Sequence, residues 1–176
     1  MSESDSAIEG RTDVYFNRTR AIVERFGDAR VTYAIFLRRP VISAPRIAVD
    51  WLRAVASRRG TAFDIELVHD EGEWVGAGDP LLYLTGSFAK LADLETLYLQ
   101  KLGAPCVAAH NAYQMCLELP GASFLAMDAR HCAGAEMQAA GPRRARARRA
   151  SLATPPTPRR TGSVPRLAVA PCRMPS

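Results

Sequence analysis

Asp128, Arg130, His131 and Cys132 crowd into the stretch Met127-Asp128-Ala129-Arg130-His131-Cys132-Ala133-Gly134, directly after the apolar run Ser123-Phe124-Leu125-Ala126. Charge, imidazole and thiol gathered at the end of an apolar strand have the form of an active-site edge. In a parallel α/β barrel that edge is the C-terminal end of a strand. Arg130 offers a planar, two-pronged donor matched to phosphate or carboxylate, against the plainer reading of a surface residue after an edge strand. His131 beside Cys132 suggests a metal, but zinc takes several spaced ligands, and this pair has none at ligand spacing. No metal is assigned. Near the other end of the chain, Asp13 reads by default as a helix N-cap and Tyr15 as a packing residue on the helix that follows. His69 and His110 read as ordinary polar positions.

The elements that must position these side chains follow from hydrophobic periodicity. Thr12 to Phe26 carries Val14, Ile22, Val23 and Phe26 among polar residues and stops at Gly27-Asp28, which predicts a helix capped by Thr12-Asp13. Val31 to Leu37 is β-branched and aromatic and predicts a largely buried strand. Ala48 to Ser57 predicts a helix with Val49, Trp51, Leu52 and Val55 inward, stopped at Arg58-Arg59-Gly60. Phe63 to Asp70 and Pro80 to Gly86 alternate with period two around the glycine-rich link Gly72 to Asp79 and predict a hairpin-like pair. Phe88 to Leu102 and Cys106 to Leu117 predict two helices, and Ser123 to Met127 a further strand. The fold class expected is α+β.

The formal charge of +5 conceals an uneven chain. Residues 1–140 hold 14 Lys and Arg against 18 Asp and Glu, whereas residues 141–176 hold nine Arg, seven of the twelve prolines and no acid. Such a tail has no apolar periodicity with which to offset the entropy of ordering. Four cysteines without a C-x-x-C pair, and no secretory signal, predict reduced thiols in a cytoplasmic protein. No apolar run approaches the roughly 20 residues of a membrane span, so no membrane partner is expected.

Three stretches carry a resemblance. The order hairpin, helix, helix, strand, with Asp70-Glu71-Gly72-Glu73-Trp74-Val75-Gly76-Ala77-Gly78-Asp79 as the link and Leu94-Glu95-Thr96-Leu97-Tyr98-Leu99-Gln100 on the next helix, resembles the N-terminal α/β-hammerhead domain of nicotinate and quinolinate phosphoribosyltransferases. Thr12-Asp13-Val14-Tyr15 resembles the Thr-Asp-x-Tyr opening of the nicotinate branch, which quinolinate enzymes lack. Asp128 to Gly134 is similar to the Arg-containing end of the first barrel strand in the same superfamily. The resemblance spans residues 12 to about 137 and implies a hammerhead domain over 12–121, the first strand of an α/β barrel within 122–138, a disordered start over 1–11 and a disordered Arg/Pro-rich tail over 139–176.

What it implies chemically is transfer of a phosphoribosyl group from phosphoribosyl pyrophosphate to the ring nitrogen of nicotinate, with ATP and Mg2+, giving nicotinate mononucleotide for NAD salvage. Pyrophosphate departure leaves an oxocarbenium-like sugar, so the site must orient a flat acceptor and hold anionic oxygens. By this resemblance Tyr15, Asp13, Arg130 and His131 are substrate-binding residues, with Tyr15 stacking on the pyridine ring and Arg130 binding an anion. Tyr15 would then reach a neighbouring subunit's site, making a homodimer the competent unit. A quinolinate phosphoribosyltransferase-like enzyme is the alternative within the superfamily.

A Pro/Arg/Ala-rich tail is also what a G/C-rich gene yields out of frame. With wobble letters chosen freely, one shifted frame from Ser151 can read Val-Gly-Asn-Ala-Thr-Asp-Ala-Thr-Ala-His-Trp-Phe-Gly-Ser-Thr-Ala-Arg-Gly-Arg-Thr-Val-Pro-His-Ala. That string resembles the family's later barrel segment with its phosphorylated histidine, absent from the present frame. The expectation is a truncated, inactive fragment with a frameshifted tail. From a different class, the run Arg143-Arg144-Ala145-Arg146-Ala147-Arg148-Arg149 could serve a small domain as a nucleic-acid-binding arm, although no aromatics interleave it. The hairpin lacks the lysine of a biotinyl or lipoyl carrier.

Overall fold

The alternating stretches pair as their period dictates. In the computed structural model, which describes residues 4–120 and residue 122, β1 (Arg30–Phe36), β3 (Asp64–Leu67) and β5 (Pro80–Ser87) form an antiparallel sheet in the order β1-β5-β3. Register places Tyr33 opposite Leu84 on one side of β5 and Ile65 opposite Leu84 on the other. β5 is the central strand and buries Leu81, Leu82 and Leu84. β1 lies at an edge and buries only Ile35 fully, so the expectation of a largely buried strand is corrected to a half-buried one. A second, two-stranded ladder joins β2 (Val41–Ile42) to β4 (Trp74–Val75), with β4 drawn from within the glycine-rich link. That link turns at Gly78, whose φ of +80° is accessible to glycine at no steric cost and whose N–H donates to the Leu37 carbonyl at 2.8 Å.

Helices lie against this framework. Within residues 1–11, expected to be disordered, α1 (Asp5–Glu9) forms, because Ser4 caps it and Ile8 is fully buried. α2 (Val14–Phe26) begins two residues later than the predicted helix. Of its apolar residues only Val23 is buried, while Val14, Ile22 and Phe26 face solvent. α3 (Arg46–Arg58) extends the expected Ala48–Ser57 by two residues at its start and one at its end, and turns Ala48, Val49, Leu52, Val55 and Ala56 into the core. The chain then runs from β5 into α4 (Phe88–Leu91), a 3-10 turn over Ala92–Leu94, and α5 (Glu95–Glu118).

The two helices expected over Phe88–Leu102 and Cys106–Leu117 are thus divided elsewhere. The break falls at Ala92–Leu94, and α5 continues through Gly103-Ala104-Pro105. Pro105 removes one backbone donor, at roughly 3 kcal/mol in a helix interior. Burial of Leu97, Tyr98, Leu102 and Cys106 on the same helix, at about 1.5–3 kcal/mol for each large apolar side chain, outweighs that cost. The architecture is α+β. Ser123–Met127, the barrel segment and the tail lie outside the described residues.

Candidate functional site

The head of α2 is fastened to the junction between the 3-10 turn and α5. Thr12 is buried, and its hydroxyl lies 2.9 Å from the Ile8 carbonyl and 2.6 Å from the Asp93 carbonyl, so one proton serves two acceptors. Asp13 occupies the N-cap position with an extended backbone, yet its carboxylate makes no capping bond to α2. It reaches α5 instead: the Thr96 hydroxyl donates to Asp13 Oδ2 at 3.1 Å and accepts from the Asp13 N–H at 3.4 Å. The N-cap reading of Asp13 is therefore right in position and wrong in partner, because a bond across the fold displaces the local one.

Two residues on, Tyr15 is 50% exposed, with its ring 4.0 Å from that of Phe16 at a tilt of 39°. Asp13 and Tyr15 are thus brought to one end of one helix. Arg130 and His131 lie outside the described residues, as does Cys132.

The electrostatics around this end follow from burial. Glu95, the first residue of α5, has its carboxyl pushed above the ordinary value by desolvation and, secondarily, by the Asp13 carboxylate. Tyr33 is pushed up to about 12, mainly by burial and further by Glu95. Tyr98 is pushed well up by burial, then by Glu95 and Tyr33. Carboxyl and phenols thus share a partly desolvated corner in which negative charge is disfavoured, just behind the exposed Asp13.

Beneath it sits an ion cluster that the sequence did not advertise. Asp93 is fully buried and takes both prongs of Arg59 at 2.7 Å each, together with Arg20 at 2.8 Å. Arg59 also donates to Asp5 at 3.1 Å, and Arg20 to Glu24 at 3.0 Å. Asp5 stays below the usual carboxylate range, since its bonds to Arg59 and Arg58 outweigh the desolvation that opposes ionisation. The cluster joins α1, α2 and the end of α3 to the 3-10 turn. Periodicity could not reveal it, because Arg20 and Arg59 lie 73 and 34 positions from Asp93.

Elsewhere His69 approaches Glu73 at 3.6 Å, and His110 packs in an aromatic group with Trp74 and Tyr113. Among the described residues no group of three His, Cys, Asp or Glu offers a cation site. No helix among them is long and apolar enough to cross a membrane.

No family model matches the chain, and no curated protein matches it. Solved structures do. The fold is similar to that of human nicotinic acid phosphoribosyltransferase (TM-score 0.59, 23% identity, 70% of this chain and 32% of that one). It is similar also to the nicotinate-nucleotide pyrophosphorylases of Pyrococcus furiosus (0.53, 21%, 65% and 30%) and Ehrlichia chaffeensis (0.51, 18%, 69% and 44%). At these identities the likeness is one of fold. The chain spans about a third of the length of the human and Pyrococcus proteins.

Proposed function

We propose that the chain is the N-terminal, hammerhead-type part of a nicotinate phosphoribosyltransferase of NAD salvage. The observation that carries the reading is the coincidence of two independent features. The fold is shared with a nicotinic acid phosphoribosyltransferase and with nicotinate-nucleotide pyrophosphorylases, and Thr12-Asp13-Val14-Tyr15 stands at the head of α2 with the Tyr15 ring half open to solvent. Tyr15 would stack on the flat acceptor, while Asp13 and Thr12 hold the turn that presents it. Arg130 would bind the anion, with His131 as a further substrate-binding residue. In this reading the competent unit is a homodimer, with Tyr15 serving the neighbouring subunit's site.

Phosphoribosyl pyrophosphate is the donor substrate. Mg2+ and ATP remain with the reading as well. The 176-residue chain is proposed to lack most of the barrel and to be inactive alone. A quinolinate phosphoribosyltransferase-like enzyme is the second reading, favoured by the pyrophosphorylase neighbours.

The test is ligand titration of isotope-labelled chain. Millimolar nicotinate should shift the Tyr15 ring resonances, and quinolinate should do so less; the reverse order would favour the second reading. No response to either would sink the stacking role given to Tyr15. Incubation with nicotinate, phosphoribosyl pyrophosphate and Mg·ATP should yield no nicotinate mononucleotide, and robust turnover would overturn the fragment proposal.

A further inference from the structure

Asp13 has two bonds open to it that exclude each other. As the N-cap of α2 its carboxylate could accept the free N–H groups of its own helix, the arrangement its residue type favours by about 1 kcal/mol. In the fold it makes no such bond. It is turned across to Thr96, 83 positions away, in a reciprocal pair where one hydroxyl both donates to the carboxylate and accepts from the backbone N–H. The Thr96 hydroxyl does both through one oxygen. Thr12 adds a second fastening one residue earlier, to the Asp93 carbonyl on the adjoining 3-10 turn. In the first turn of α2, Val14 and Tyr15 are exposed, Phe16 is half-buried and Asn17 donates to the Glu9 carbonyl at 3.1 Å, so apolar packing alone does little to fix the direction in which the helix sets out.

We propose that Thr96 is a positioning residue that selects the cross-fold bond of Asp13 over the local cap and thereby aims the first turn of α2, and with it Tyr15. The proposal rests on the reading of Tyr15 as an acceptor-stacking residue. Loss of the Thr96 hydroxyl leaves α2 helical, because Asp13 falls back to capping it, but frees the angle at which the helix leaves α5. Thr96 is thus separable from a residue that merely holds the fold together: its removal alters where Tyr15 points without unfolding anything.

The experiment uses the full chain in three forms, parent, Thr96→Val and Thr96→Ser, with amide hydrogen exchange and the nicotinate-induced shift of Tyr15 as readouts. Thr96→Val should accelerate exchange at the Asp13 amide by about tenfold, leave Leu82 to Thr85 of β5 unchanged, and weaken the Tyr15 response to nicotinate by about tenfold. Thr96→Ser should restore both. Unchanged Asp13 exchange in Thr96→Val would overturn the proposal, as would a Ser variant as impaired as the Val one. Equal acceleration in β5 would overturn it too, since the hydroxyl would then serve the fold as a whole. A parent chain that gives no Tyr15 response fails the functional reading and leaves the exchange comparison to decide the positioning. A Tyr15 response that persists undiminished in Thr96→Val fails the positioning and leaves the functional reading standing.

Discussion

Asp93 is the residue on which the largest single effect should fall. Its side chain is fully buried and that of Arg59 is 5% exposed, so neutralising one leaves the other without its counter-charge in a poorly solvated place. Breaking such a pair costs about 3–5 kcal/mol, and because Asp5 still contacts Arg59 the lower end is expected. Asp93→Asn should lose about 3 kcal/mol in urea unfolding; a loss under about 1 kcal/mol would mean the pair behaves as a surface bridge.

Glu95 predicts the opposite sign. Its carboxyl titrates higher in the folded chain than in the unfolded one, so the folded state binds that proton more tightly. The associated stability is present in acid and is lost as pH rises through the carboxylate range. Glu95→Gln should therefore melt higher than the parent at neutral pH, and the difference should vanish as pH falls below the ordinary glutamate value. A gap independent of pH would refute the assignment. At this scale the sequence is legible only where chemistry is local. Asp13 was placed at its cap position, whereas its partner Thr96 was not, since nothing in Leu94-Glu95-Thr96-Leu97 marks a hydroxyl for a residue 83 positions away.

Among the elements, β1, β3, β5 and α3 were legible because alternation and a helical apolar face are both enforced by burial on one side, whereas the two-residue strands β2 and β4 are too short to show a period. α5 was misread because Gly103 and Pro105 carry strong local signals for a stop, and only the burial along Leu97, Tyr98, Leu102 and Cys106 shows why the helix runs on. Gly103 accordingly has no structural duty: a Cβ there meets nothing within 4 Å. Gly103→Ala should stabilise the chain by about 0.5–1 kcal/mol, seen as a raised melting temperature.

Gly86 contrasts with it. A Cβ on this β5 residue would come 2.8 Å from Phe63 and 3.2 Å from Leu91, both partly or fully buried. Gly86→Ala should cost about 1–3 kcal/mol by overpacking, and a neutral result in the same melting experiment would show that Phe63 can move aside. The apolar stripe of α2 was the remaining misjudgement. Periodicity did not find the covered face: the half-buried positions are Phe16, Asn17, Thr19 and Arg20 beside buried Val23, whereas Val14, Ile22 and Phe26 stand exposed.

Across the whole molecule, stability should be graded from β5 outward. β5 is hydrogen-bonded on both sides and carries three buried leucines, whereas β4 is two residues long within a turn-rich link. Native-state exchange should find Leu82, Leu84 and the Leu97–Cys106 part of α5 opening only with global unfolding, and the Gly76–Asp79 turn opening locally. Uniform protection would contradict this ordering. The overall class was legible because it follows from the sum of many short patterns. The corner behind Asp13 was not, because it exists only where α2, β1 and α5 meet.

The fastening of Thr12 to Asp93 also bears on how the chain is made. The two residues are 81 positions apart, and at about 5–20 residues per second of synthesis the first two helices emerge on the order of 4–16 s before the turn that anchors them. During that interval Thr12 and Arg20 lack the Asp93 groups that they bond in the fold. The docking of the N-terminal helices is therefore a late step of folding during synthesis, completed only after β5 and the turn that follows it have been translated.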